Sequence, residues 1–366
     1  MLVTVLGTAT PYGYWGFSLT GHVLDVIYGA HRHIHCLDVK GLRAGWSVDK
    51  DKPVLVTSDR PDTPLSYLLI TSSSPVLAFL DTPLDALANA VILDNLALPD
   101  AIRFCSQYFS CLSGCTGSDH VRLFGGDWSH ASVAELVEAV FDAIGVRADV
   151  GLVAEAALRV AAEQGLSGDA TVEEVMRRRL DGETLSSRAS RRFNPQERAL
   201  VDWFDANYGP ILLGRELEHM EWPLDLFSVE RRGGAHEKGV KLIGSARHIV
   251  WGPYLHLPVG GWRARVQFET IGNHSGNEIE GDICTDMKQV TRCVARLPVQ
   301  GYFEFSLDFA VVNPNAPVEI RVRLHKGAIE GRFELRRVML EPIADPSQLV
   351  KGPMSQQLEA LQTSLS

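Results

Sequence analysis

The stretch Trp262-Arg263-Ala264-Arg265-Val266-Gln267-Phe268-Glu269 decides the reading of the C-terminal part of the chain. Its apolar side chains fall at every second position with charged or amide residues between them, the period of a strand with one face in a core. The rhythm returns in Phe303, Phe305, Leu307 and Phe309, in Ile320, Val322 and Leu324, and in Phe333 and Leu335 followed by Val338 and Leu340. Turn residues separate these runs: Pro258 to Gly261, Gly272-Asn273, Ser275-Gly276-Asn277, Gln300-Gly301, Asn313-Pro314-Asn315 and Lys326-Gly327. Short alternating strands with turns between them predict an all-β antiparallel sandwich or jelly roll over residues 240–342.

Moving outward, residues 221–239, with Trp222-Pro223 and Arg231-Arg232-Gly233-Gly234, read as a linker, and residues 343–366 as a weakly apolar tail with one short helix at Gln357 to Leu361. Residues 1–220 read as an α/β domain with a mainly parallel sheet and a helical extension. Leu2 to Leu6, Val54 to Thr57, Val76 to Leu80 and Val121 to Phe124 are apolar runs bounded by polar residues, glycine or proline, as strands covered on both faces are. Helix starts stand between and after them: Asp81-Thr82-Pro83, the capping box Thr171 to Glu174, and Asn194-Pro195-Gln196-Glu197. Ser186 to Arg192 is a polar, basic, exposed stretch.

The composition is 45% hydrophobic and 22% charged, with a formal net charge of −10. A broad nucleic-acid surface needs clustered positive charge, so this balance argues against one. The N-terminus lacks a basic n-region and cleavage site, and no run of about 18 apolar residues provides a membrane span. The expected location is therefore cytoplasmic, where the six cysteines are expected to be buried thiols.

His31, His33 and His35 alternate, so a strand places them on one side, and three imidazoles are the donors zinc takes; without a separated partner ligand the reading is a polar, partly exposed strand face and no metal. His22 is the one catalytic candidate, a general base near the loop after Gly7. Trp251, Tyr254 and His256 are ligand-binding candidates, because Trp251-Gly252-Pro253-Tyr254 sits where a strand meets a loop.

The order of the first half, with Gly7-Thr8 after the first strand, Asp81 to Asn89 after a later one, and Val121 to Phe124 with Asp127 ahead of a Phe141-x-x-Ile144-Gly145 helix end, resembles the bacterial sulfotransferase family over roughly Met1 to Gly214. That resemblance implies a P-loop-like domain with Gly7, Thr8 and Asn89 at the site of phosphoadenosine phosphosulfate. The sequence departs from the family at its charged positions. Gly7 to Ser18 holds no Arg or Lys, Asp81 stands where the family has arginine, and Asn89 stands where it has serine. A carboxylate in place of a guanidinium turns attraction for a phosphate into repulsion, so the resemblance implies the fold and a degenerate donor site, with no cofactor.

The run Gly252-Pro253-Tyr254-x-x-Leu257-Pro258-x-Gly260-x-Trp262 resembles carbohydrate-binding-module-like sandwiches, which implies a glycan, a polysaccharide or a glycan-modifying protein as partner. The two resemblances together lead to an accessory, non-catalytic protein of bacterial cell-surface glycan metabolism. The alternative is a divergent sulfotransferase acting on a polysaccharide acceptor.

Overall fold

The four apolar runs of the first half and the histidine-bearing segment Arg32–His35 form one parallel sheet. The computed structural model describes residues 1–46, 52–180, 183, 187, 191–215, 219–230 and 239–343. It divides into two compact units, Met1–Glu216 and Leu217–Ser366. The tail beyond Ile343, the centre of the expected linker at 231–238, and positions 186 and 188–190 of the basic stretch lie outside the described residues.

In the first unit, β1 (Leu2–Gly7), β2 (Arg32–His35), β3 (Val54–Ser58), β4 (Val76–Phe79) and β5 (Val121–Phe124) are hydrogen-bonded in the order β2-β3-β1-β4-β5. All four pairings are parallel. The central strands are buried throughout because helices cover both faces. On one face, α1 (Pro11–Tyr28) packs with α6 (Val133–Ala143), α7 (Val150–Ala162) and α8 (Val172–Arg179) over Val3, Val5, Leu77 and Phe79. A second group joins α3 (Thr63–Thr71), α4 (Pro83–Ile92), α5 (Leu98–Thr116) and α9 (Pro195–Leu212), where Phe204 stacks on Tyr208 and both rings lie against Phe109. Helix α2 (Val39–Gly45) follows β2 and starts at an Asp38 cap.

Most of these helices start at a side-chain oxygen. Asp62, Thr82 and Asp149 cap α3, α4 and α7. Ser132 with Glu135, Thr171 with Glu174 and Asn194 with Glu197 make capping boxes, each satisfying amide groups that the first turn leaves without partners. Among the described residues no helix is long and apolar enough to cross a membrane.

The second unit contains two antiparallel sheets. One has the order β13 (Gly301–Val311), β10 (Gly260–Ile271), β15 (Arg332–Ile343), β6 (Met220–Glu221), with β8 (Val240–Lys241) also on β15. The other has the order β12 (Lys288–Arg296), β11 (Glu278–Thr285), β14 (Val318–Leu324), β9 (Arg247–Leu255), β7 (Ser228–Val229). The inward rows are those read from alternation: Trp262, Ala264, Val266 and Phe268 from β10, and Val318, Ile320, Val322 and Leu324 from β14, each at most 5% exposed. The break in period between Leu335 and Val338 is a bulge, with Phe268 opposite Leu335 and Gln267 opposite Arg337. Strands β6 and β7 show that the chain from Met220 onward already takes part in these sheets. Trp222 between them is fully buried, and its amide donates to Val338 O. All six cysteines are free, and Cys293 stands opposite Gly281 rather than Cys284.

Candidate functional site

In a parallel sheet the ligand crevice lies outside the carboxyl ends of the strands, where successive connections part to opposite sides. Here that place is between β1 and β4, since the chain leaves β1 for the β2 edge and leaves β4 for the β5 edge. A cavity of about 260 Å³ opens there. Its wall is made by Pro11 and Tyr12 at the start of α1, Asp81, Thr82 and Asp85 after β4, Gly125 and Gly126 after β5, Ser129 and His130, and Glu173 and Met176 on α8.

The β1–α1 turn is only Thr8-Ala9-Thr10 and is closed on itself. Thr8 N donates to Phe79 O at 3.2 Å and Thr10 N to Thr8 O at 2.8 Å. Pro11 has no N–H, and Gly13 N donates to Thr10 Oγ1 at 3.2 Å. Of the amides that an open loop would present to an anion at this helix start, those of Thr8, Thr10 and Gly13 are already bonded and Pro11 has none. Tight packing fixes this turn: a methyl group on Gly13 would lie 2.0 Å from Thr8 O, and one on Gly16 would lie 2.2 Å from the Phe79 ring.

A ring of hydrogen bonds links the turn to β4. Asp81 N donates to Thr8 Oγ1 at 3.1 Å, and the Thr8 and Thr10 hydroxyl oxygens are 3.0 Å apart. The Thr10 hydroxyl bonds the Asp81 carboxylate. The Thr8 and Thr10 hydroxyls thus join the turn to the Asp81 carboxyl. Burial, and then the neighbouring Asp85, push Asp81 from 3.8 up to about 7, against the Thr10 bond that pulls it down. Asp85 in turn accepts from the Thr82 hydroxyl at 2.8 Å. Across the opening His130 Nδ1 stands 3.6 Å from Glu173 Oε2. The described wall carries three carboxylates and one exposed histidine but no Lys or Arg.

Of the residues expected at a donor site, Gly7 ends β1, Thr8 is fully buried within the ring, and Asn89 braces the turn by donating from Nδ2 to Ala9 O at 3.4 Å. His22 lies elsewhere. It is 11 residues along α1 from Pro11, about 16 Å at 1.5 Å per residue, and its Nε2 is 2.8 Å from Glu163 Oε1. His33 Nε2 and His35 Nδ1 share the Thr57 hydroxyl at 2.8 and 3.1 Å, while His31 Nδ1 turns to Asp25 at 2.7 Å. Burial and the two flanking histidines hold His33 below the usual histidine range. Among the described residues no group of three His, Cys, Asp or Glu is placed to hold a metal ion.

In the second unit Trp251 is half-buried and stands opposite Arg321, which stands opposite Asp282. Arg321 flanks the inward-facing Ile320 and Val322, so the row points away from the inner face, with Asp282 itself buried under its neighbours. Arg321 clasps Asp282 through two bonds of 2.7 and 2.8 Å. The Tyr254 hydroxyl donates to Glu319 Oε1 at 2.7 Å. His256 is buried, with Nδ1 bonded to Pro314 O at 2.9 Å, and burial lowers its pKa.

Sequence reasoning missed Glu173 and His130 as walls of the cleft, because nothing local ties residues so far along the chain to Asp81.

No known family model matches the chain, and no curated protein does. Solved structures show slight likeness. Dimeric latent PorU from Porphyromonas gingivalis aligns at 11% identity with a TM-score of 0.23 over 34% of this chain. The Glycosylation Associate Protein (Gap123) complex from Streptococcus agalactiae aligns at 8% identity with a TM-score of 0.19 over 93%. A two-domain esterase (CEX) active on acetylated mannans aligns at 10% identity with a TM-score of 0.21 over 94%. The chain spans 12%, 50% and 92% of those three chains, respectively. Likeness at this level carries no argument about function.

Proposed function

We propose that the protein is an accessory, non-catalytic component of bacterial cell-surface glycan metabolism, which contacts neutral glycan through the β1/β4 cleft and the outer face of its sandwich. The observation that carries this reading is the charge of the cleft. Among the described residues Asp81, Asp85 and Glu173 line it without a Lys or Arg, and the Thr10 and Gly13 amides of the adjoining turn are bonded within it. Such a wall repels a phosphosulfate donor, whereas a neutral polyol gives its hydroxyl protons to carboxylates. Half-buried Trp251, opposite Arg321, supports the second contact, since sugar C–H faces stack on aromatic rings while hydroxyls pair with charged neighbours.

A divergent sulfotransferase-type enzyme is the second reading. It is favoured by Asp81, whose pKa of about 7 suits proton transfer at neutral pH. Affinity electrophoresis of the full chain through gels containing neutral polysaccharide tests the first reading. Retardation that weakens in Asp81→Asn or Trp251→Ala, each still folded at the temperature of the gel, is expected. Migration indifferent to every polysaccharide, or sulfate transfer by the wild type, would overturn it.

A further inference from the structure

Strand β12 ends one sheet of the second unit and β13 ends the other, and these two edge strands lie against each other. A groove of about 490 Å³ opens along them, within the range of roughly 300 to 1,000 Å³ that small-ligand sites occupy. Its wall includes Arg263 and Arg265 of β10, Thr291 and Arg292 of β12, and Ser306 and Asp308 of β13. The groove is open to solvent at its charged groups. The Arg263 and Arg265 side chains are 41% and 37% exposed, and Arg292 is exposed.

The strand period puts the first two arginines together. Arg263 and Arg265 alternate with buried Trp262, Ala264 and Val266, so both leave the outer face of the sheet, about 7 Å apart along β10. Carboxylates then orient them. Asp308 accepts from Nε and Nη2 of Arg263 at 2.6 and 2.8 Å, while Glu341 accepts from Nε of Arg265 at 3.1 Å, with Glu304 3.5 Å from Nη1. Among the described residues this leaves Nη1 of Arg263 and Nη2 of Arg265 without an acceptor, so each group is held in place and still has N–H protons to give. Arg292 makes no hydrogen bond or ion pair among the described residues, because its register partner Asp282 is clasped by Arg321. The wall therefore presents three guanidinium groups against the one carboxylate of Asp308, the reverse of the β1/β4 cleft.

We propose that this groove binds the carboxylate or sulfate group of an acidic saccharide. An oxyanion accepts the unused N–H groups of the arginines, whose planar forks match its paired oxygens. The Thr291 and Ser306 hydroxyls, each able to donate or accept, suit the hydroxyls of the ring that carries it. That the groove takes an oxyanion rests on its arginines; that a saccharide bears it rests on the glycan contact proposed above. A cleft without Lys or Arg and a groove with three arginines suit a polysaccharide that holds both neutral and acidic residues.

The test is calorimetric titration of the full chain with a galacturonate pentasaccharide, a sulfated galactan hexasaccharide, a neutral β-1,4-glucan pentasaccharide and pentaglutamate, using wild type, Arg292→Gln, Arg263→Gln and Asp81→Asn. Binding of at least one acidic saccharide, weakened at least tenfold in both arginine variants and unchanged in Asp81→Asn, is expected, and the saccharide bound identifies the oxyanion. Arg292 is exposed and unpaired among the described residues, so its variant keeps the test valid if Arg263→Gln unfolds. Acidic saccharides that fail to bind, or bind equally well to folded arginine variants, overturn the groove, even where the neutral glucan binds and weakens in Asp81→Asn and so upholds the cleft. Pentaglutamate bound as tightly as the acidic saccharide overturns the assignment to a saccharide. Acidic binding lost in the arginine variants, with no neutral binding at all, upholds the groove and removes the cleft from the proposed function.

Discussion

Asp81 is the residue on which the N-terminal site turns, and its protonation makes stability depend on pH. The folded chain holds that proton more tightly than the unfolded chain, since burial raises the group from 3.8 to about 7. The stability this gives is complete below about pH 4 and is lost as pH rises through about 7, a swing on the order of a few kcal/mol at most. Asp81→Asn keeps the neutral form at every pH. Its Tm should match that of wild type near pH 4 and exceed it increasingly up to about pH 7, then run parallel. A difference independent of pH would show that Asp81 is not held protonated. Trp262 and Trp251 give a second residue-scale expectation. Trp262 is 3% exposed and bonds Pro258 O at 3.1 Å, so Trp262→Ala should cost about 3 to 5 kcal/mol in urea unfolding. Trp251→Ala, on the outer face, should cost clearly less; equal losses would make both rings core.

At the scale of elements, α1 and β4 meet through Gly16. Exchange for alanine gains about 1 kcal/mol of helix propensity. The added methyl would sit 2.2 Å from the Phe79 ring, which is itself stacked on Phe124 at 4.9 Å and has nowhere to retreat. Overpacking of this kind typically costs about 1 to 3 kcal/mol, so Gly16→Ala should destabilise on balance. A stabilised variant by urea unfolding would contradict the packing described. These elements were readable in sequence to different degrees. Alternation over Trp262 to Phe268 and the apolar runs of β1, β3 and β4 were plain, because a strand's burial is written in consecutive residues. The capping box at Thr171 and the helix start at Asn194 were plain for the same reason. Met220–Glu221 and Ser228–Val229 were not, as two-residue strands have no period to read. The arginine groove joins Arg263 and Arg265 to Arg292 across the edge of the sandwich, which pattern alone does not supply.

At the scale of the whole molecule, the chain consists of two units with separate cores, and the second begins well before its first long strand. A fragment starting at Leu217 should therefore be more stable than one starting at Val240, which lacks buried Trp222 and strands β6 and β7. The loss should be about 3 kcal/mol or more by thermal or urea unfolding. Equal stability would show that residues 217–239 add nothing to the sandwich. Beside a sheet of the order β2-β3-β1-β4-β5, the cleft is lined by carboxylates, and the proposed function requires that it take a neutral rather than an anionic ligand. Calorimetric titration of the full chain with adenosine 3′,5′-bisphosphate tests this most directly, in an Arg292→Gln background that keeps the anion from the sandwich groove and with Asp81→Arg titrated alongside. No binding with Asp81 in place at millimolar bisphosphate, and measurable binding only after Asp81→Arg, is expected; micromolar binding with Asp81 in place would contradict the proposed function.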